Sequence, residues 1–163
     1  ITDLLRAEWL ELNFPNAYFV GITRDGYAAT EGILRRARPK GEAIAQVGET
    51  YPVEMAAQEW LAANQRLLEL EAGLNRFARV RYEDLVAEPS ETLGNLFDFL
   101  QLPRPKLEDT DAGVLIESQG RSLWDGNRAS LQRLGEEECA KVTAVIGDMQ
   151  RELGYPVRCP EKE

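Results

Sequence analysis

Arg24-Asp25-Gly26 follows Ala17 to Thr23, an apolar run rich in β-formers, and precedes residues of helical composition. An arginine at a strand end, a glycine for a tight turn and a helix start suit the binding of an anion. A helix N-terminus presents unpaired N–H groups and the positive end of its dipole. A neighbouring guanidinium adds a two-toothed grip on phosphate. The same residues also allow a structural arrangement, in which Arg24 pairs with a carboxylate and Asp25 caps the helix. Two more groups of basic residues stand out: Arg35, Arg36, Arg38 and Lys40, and then Arg76, Arg79 and Arg81. The first suits an anionic ligand, or a solvated helix end with favourable dipole interactions.

Other chemistries are excluded. The chain has no histidine, so it supplies no imidazole zinc ligand, Ser-His-Asp triad or imidazole base. Its 163 residues carry 19 basic and 28 acidic side chains, a net charge of −9. That balance argues against nucleic-acid binding and leaves polyanions only a local arginine cluster. No nucleotide-binding glycine motif, nucleophile elbow or zinc-protease motif occurs. Asp109-x-Asp111-x-Gly113 is a poor calcium loop: its glycine comes one position early, and Gly120 stands where the bidentate glutamate belongs. It reads as an acidic surface loop. Cys139 and Cys159 are too few for a disulfide framework. No apolar run approaches the roughly 20 residues of a membrane span. The lack of a signal peptide, together with the cysteine usage, points to a cytoplasmic location. Ile1 opens directly into helix-like sequence without a methionine, which suggests a chain cut from something longer.

The elements that position these residues follow from periodicity. Leu5, Trp9 and Leu12 predict a helix over about residues 3–13. Ala17–Thr23 predicts a strand buried on both faces, as in a parallel sheet covered by helices. A helix from Tyr27 to about Ala37 and a loop over 38–51 come next. A helix opens near Pro52 and ends near Gly73. Phe77–Tyr82 alternates as a second strand. Pro89 opens a helix with the stripe Leu93, Leu96, Phe97 and Leu100. Residues 103–128 read as irregular, with a short helix near Gly113–Glu117. The last helix runs over about Glu136–Leu153 and is capped by Gly154. Helices separated by strands place the chain in the α/β class.

Phe14-Pro15-Asn16-Ala17-Tyr18-Phe19-Val20-Gly21-Ile22-Thr23-Arg24-Asp25-Gly26 resembles a segment of the sulfotransferases, and Val80-Arg81-Tyr82-Glu83-Asp84-Leu85 with Pro89 resembles another. Leu96-Phe97-Asp98-Phe99-Leu100-Gln101-Leu102-Pro103, the Trp60 to Asn64 helix and Leu153-Gly154-Tyr155 follow in the order seen in bacterial-type members. The resemblance covers about residues 12–155. It implies one sulfotransferase-like domain over 1–163, the C-terminal part of a P-loop-like three-layer fold with parallel strands covered by helices, incomplete at the N-terminus. It further implies binding of 3′-phosphoadenosine 5′-phosphosulfate (PAPS) and transfer of its sulfuryl group to a hydroxyl or amine of a small-molecule or glycan acceptor.

By that resemblance Arg24 clamps the 3′-phosphate and Tyr82 contacts adenine. The family serine that shares the 3′-phosphate aligns with Gly32. Thr30 offers a hydroxyl nearby, about 200° away around the helix. Arg121, before Trp124, stands for a late basic loop, or is a solvated loop arginine. Trp60 is core or a wall of the acceptor pocket. The family's lysine loop for the phosphosulfate and its catalytic base would fall at or before Ile1-Thr2, so this chain is expected to be inactive alone. Two other readings compete: a non-catalytic nucleotide- or partner-binding relative, which Gly32 favours, and a small-molecule kinase, which Tyr82-Glu83-Asp84-Leu85 opposes. Residues 38–51 and 103–128 are the expected acceptor loops.

Overall fold

The computed structural model describes residues 4–37, 39–40, 43–48, 50–104, 108–110, 113–115 and 125–158. They form a mixed α/β chain in the order α1 Ala7–Asn13, β1 Phe19–Thr23, α2 Gly26–Arg36, α3 Ala43–Val47, α4 Val53–Gly73, β2 Phe77–Arg81, α5 Tyr82–Ala87, α6 Pro89–Phe99, β3 Glu108–Thr110, β4 Gly113–Leu115, α7 Asn127–Leu131 and α8 Glu136–Glu152. The chain packs as two compact units. One comprises Ile1–Arg24 with Glu69–Asp125, the other Asp25–Leu68 with Gly126–Glu163.

The first unit contains the sheets. β1 and β2 pair in parallel, Phe19 opposite Phe77 through to Thr23 opposite Arg81. Side chains alternate across a strand. Phe19 and Phe77 therefore reach a small core of Ala7, Leu70, Leu74 and Leu4. Val20 and Ile22 point the other way and are exposed, 40% and 58%. The expected burial of β1 on both faces is thus corrected to one covered face. Leu5, Trp9 and Leu12 likewise form an apolar stripe that is exposed. Tyr18 is held between the edge of Phe99, ring centroids 5.4 Å apart at 89°, and the Arg76 guanidinium at 5.0 Å.

The second strand ends one residue earlier than its pattern predicts. Tyr82 begins α5, whose first turn carries Glu83 and Asp84 against the positive end of the helix dipole. Pro89 opens α6 at its first turn. α6 closes with Gln101 at φ 57°, where Leu102 N–H donates to the Phe97 carbonyl at 2.9 Å and Gln101 N–H to that of Asp98 at 3.1 Å. Of the short helix predicted near Gly113–Glu117, Glu117 lies outside the described residues, and the described part is not helical. Gly113–Leu115 is instead a strand, antiparallel to Glu108–Thr110, with Asp109 opposite Val114. A strand pairing outweighs the weak helical preference of so short a segment.

The second unit is helical. Tyr27, Val53, Ala57, Trp60, Val142, Ile146, Met149, Leu153 and Tyr155 form its core. Trp60 is 5% exposed and belongs to that core. The spacing of Val142, Ile146, Met149 and Leu153 puts them on one face of α8. Gly154, at φ 75°, ends that helix as its sequence predicts: Tyr155 N–H donates to the Gln150 carbonyl at 2.8 Å and Gly154 N–H to that of Arg151 at 3.0 Å. α3 lies within the segment read as loop, and α7 begins at the end of the one read as irregular and runs past it.

Candidate functional site

The parallel register makes the candidate site of the first unit. Thr23 and Arg81 are the last paired residues, so the next residue on each strand, Arg24 and Tyr82, emerges side by side. The Arg24 guanidinium carbon lies 4.6 Å from the centroid of the Tyr82 ring. Both side chains are half-buried. The ring attracts the cation through its quadrupole and, in doing so, uses none of the guanidinium's N–H donors. This pair stands at the carboxyl ends of two parallel strands, the end at which open α/β sheets bind ligands.

The start of α2 belongs to the other, helical unit. Asp25 Oδ1 accepts from the Ala28 N–H at 3.0 Å and caps the helix. The Gly26 N–H donates to Gln150 Oε1 at 3.0 Å, and Gln150 Nε2 donates to Asp25 Oδ2 at 3.1 Å. These amides, read from sequence as open to an anion, are therefore engaged by side chains. The capping part of the structural arrangement is what forms. Gly26 is required by packing: a Cβ there would stand 2.5 Å from Ile146 Cδ1 and 2.8 Å from Gln150 Oε1. Thr30 and Gly32 are both buried. The Thr30 hydroxyl has no hydrogen-bond partner among the described residues. A Cβ on Gly32 would meet only Arg36 Nη2, at 3.9 Å.

The basic groups are largely engaged. Arg133 grips Glu31 through Nε at 2.6 Å and Nη2 at 2.8 Å, with Arg35 at 3.9 Å from the same carboxylate. Hydrogen bonds from Arg133 hold the Glu31 carboxyl below its ordinary value, against the opposing effect of burial. Arg36 Nε donates to the Gly32 carbonyl at 3.0 Å. Arg79 pairs with Glu71 at 3.3 Å, and Arg76 donates to the Asn16 carbonyl at 3.1 Å. Glu31, Arg35 and Arg133 border a cleft of about 270 Å³ with Thr50 and Tyr51. Burial raises the Cys139 thiol above its ordinary value. Arg121, Arg38, Trp124 and Cys159 lie outside the described residues. Among the described residues no cluster of metal-ligating side chains occurs, and no helix is long and apolar enough to cross a membrane.

Sequence reasoning named Arg24 and Tyr82 separately, and the register brings them together. It missed Gln150, Glu31 and Arg133. Their partners are 102 to 125 positions away, and no local pattern marks such pairs.

Residues 2–106, which include β1, Arg24, β2 and Tyr82, match the model of the sulfotransferase family. The chain belongs to the sulfotransferase family. Comparison with curated proteins gives no match. Among solved structures, this sulfotransferase-family chain is similar to the sulfotransferase domain from the curacin biosynthetic pathway, at 26% identity and TM-score 0.56, over 96% of this chain and 59% of that one. It also has the fold of the sulfotransferase domain from the Synechococcus PCC 7002 olefin synthase, at 22% identity and TM-score 0.59, over 87% of this chain and 50% of that one. The chain thus spans between half and three-fifths of the length of these two relatives.

Proposed function

We propose that this chain binds PAPS through Arg24 and Tyr82, and serves transfer of the sulfuryl group to a hydroxyl or amine of a small-molecule or glycan acceptor. One observation carries the reading: a guanidinium held against an aromatic ring at the ends of two parallel strands. That donor set suits a purine nucleotide bearing an extra phosphate. The ring offers a π-face for a base, and the guanidinium offers paired N–H donors for phosphate oxygens. Membership of the family supports the same reading. When bound, PAPS supplies the activated sulfuryl group. Arg24 neutralises charge on the 3′-phosphate and orients the nucleotide, and Tyr82 limits the swing of Arg24. Positioning of this kind is a large part of catalysis in group transfer between oxygens.

Calorimetric titration of the parent chain tests this. The stable analogue 3′,5′-adenosine bisphosphate should bind roughly 10- to 100-fold more tightly than adenosine 5′-phosphate, the worth of a charge-assisted hydrogen bond. Equal affinities would overturn the reading.

A second reading, a nucleotide- or partner-binding chain without transfer, is favoured by the engagement of the first α2 amides with Asp25 and Gln150. Sulfuryl transfer by the bisphosphate-binding chain would rule out this second reading.

A further inference from the structure

We infer that the cleft bordered by Arg35, Arg133 and Tyr51, together with the apolar hollow beside it, binds a small carboxylate that carries an apolar chain. Every residue bordering either one lies in the helical unit, so the inference stands apart from the nucleotide reading. The polar end is built on Glu31. Its carboxylate is buried, and Arg133 takes both oxygens, Oε1 through Nε at 2.6 Å and Oε2 through Nη2 at 2.8 Å. Nη2 also donates to Ser130 Oγ at 3.2 Å. A guanidinium carries five N–H donors in one plane. These contacts use the edge formed by Nε and Nη2, which leaves the donors of Nη1 on the opposite edge. Arg133 borders the cleft with 46% of its side chain still exposed. Arg35 Nε stands 3.9 Å from the same Glu31 oxygen, an ion-pair distance beyond hydrogen-bond reach.

The charges of the cleft select the ligand. Arg133 matches Glu31, which leaves the Arg35 cation in surplus. Glu138, the other carboxylate of the cleft, accepts the Gly135 N–H at 3.0 Å in the first turn of α8, where the helix dipole offsets its charge. A planar monoanion suits the two guanidinium forks, whereas a polyanion is repelled by both glutamates. The ion pair with Glu31 holds Arg133 in place before a ligand arrives, which lowers the entropy lost on binding. The apolar hollow, about 350 Å³, shares Leu34 and Tyr51 with the cleft. Its other walls include Ile33, Ala37, Met55 and Ala56. Exposed Glu59, also on its border, opposes a carboxylate bound the other way round. A chain that runs from the two arginines over Leu34 and Tyr51 therefore meets apolar surface.

Calorimetric titration of the full chain with acetate, butanoate, hexanoate and octanoate tests this, with octan-1-ol and inorganic phosphate alongside. Affinity should rise about two- to fourfold per added CH2. Octanoate should bind about tenfold or more tightly than octan-1-ol, the worth of a charge-assisted hydrogen bond, and more tightly than phosphate. Arg133→Lys keeps a cation for Glu31 but removes the fork, and should erase most of the preference for octanoate over octan-1-ol. Arg35→Ala changes an exposed side chain and should cost about threefold or more of that preference, which keeps the test open if Arg133→Lys fails to fold. Met55→Asp, also at an exposed position, should flatten the chain-length series. A flat series in the parent, equal affinities for octanoate and octan-1-ol, or tighter binding of phosphate overturns the inference. So does an octanoate affinity that no folded variant changes, since the ligand would then sit elsewhere. None of these outcomes involves an adenosine ligand, so failure here and failure of the nucleotide reading are told apart.

Discussion

Arg24 meets Tyr82 because Thr23 and Arg81 end a parallel ladder in register, which leaves the guanidinium carbon 4.6 Å from the ring centroid. Neither residue is brought there by a contact of its own choosing: the pairing of Phe19 with Phe77 sets the step, and every later pair inherits it.

The ring contact should be measurable as a coupling energy. In a double-mutant cycle of Arg24→Ala with Tyr82→Ala, read by urea unfolding, the two substitutions should couple by about 0.5–1 kcal/mol, the value for a half-exposed cation–π pair. Tyr82→Phe keeps the ring and should preserve the coupling. Full additivity of the alanine substitutions contradicts the contact.

The two glycines of α2 should respond in opposite ways. Gly26→Ala drives a methyl group into Ile146 and Gln150, and should cost about 1–3 kcal/mol of unfolding free energy. Gly32→Ala enters ordinary van der Waals space in mid-helix, and should stabilise by about 0.5–1 kcal/mol. Denaturant midpoints of the two variants check the pair, and a shared sign would show the α2 packing to be wrong.

Much of this architecture is legible in the residues themselves. Alternation and β-formers mark Phe19–Thr23 and Phe77–Arg81, and heptad-like spacing marks the core face of α8. Periodicity also finds the stripe Leu5, Trp9 and Leu12, but it reports an apolar face and not what covers it; the three are exposed. The α7 helix, Asn127–Leu131, escapes because five residues are too few to show a period. In the candidate site, Arg24 and Tyr82 are visible by type and by family resemblance. Gln150 reads only as one more polar residue on a long helix, because its partners at Asp25 and Gly26 exist only after packing.

The buried carboxylate of Glu31 should give a distinct acid response. Its folded pKa lies below the ordinary 4.5, chiefly through the hydrogen bonds from Arg133. The unfolded chain therefore takes up the proton first. The stabilisation is present above about 4.5 and is lost as pH falls from there through the folded value. Thermal midpoints of the parent and Glu31→Gln, recorded from neutral pH downward, should converge over that window. A constant gap at all pH values would show that the pair contributes no proton-linked stability.

The most direct measurement is calorimetric titration of Arg24→Ala with 3′,5′-adenosine bisphosphate and with adenosine 5′-phosphate. The account predicts that the bisphosphate loses about 1.5–3 kcal/mol of binding free energy while the monophosphate holds its parent affinity. An Arg24→Ala chain that still prefers the bisphosphate as the parent does would contradict it.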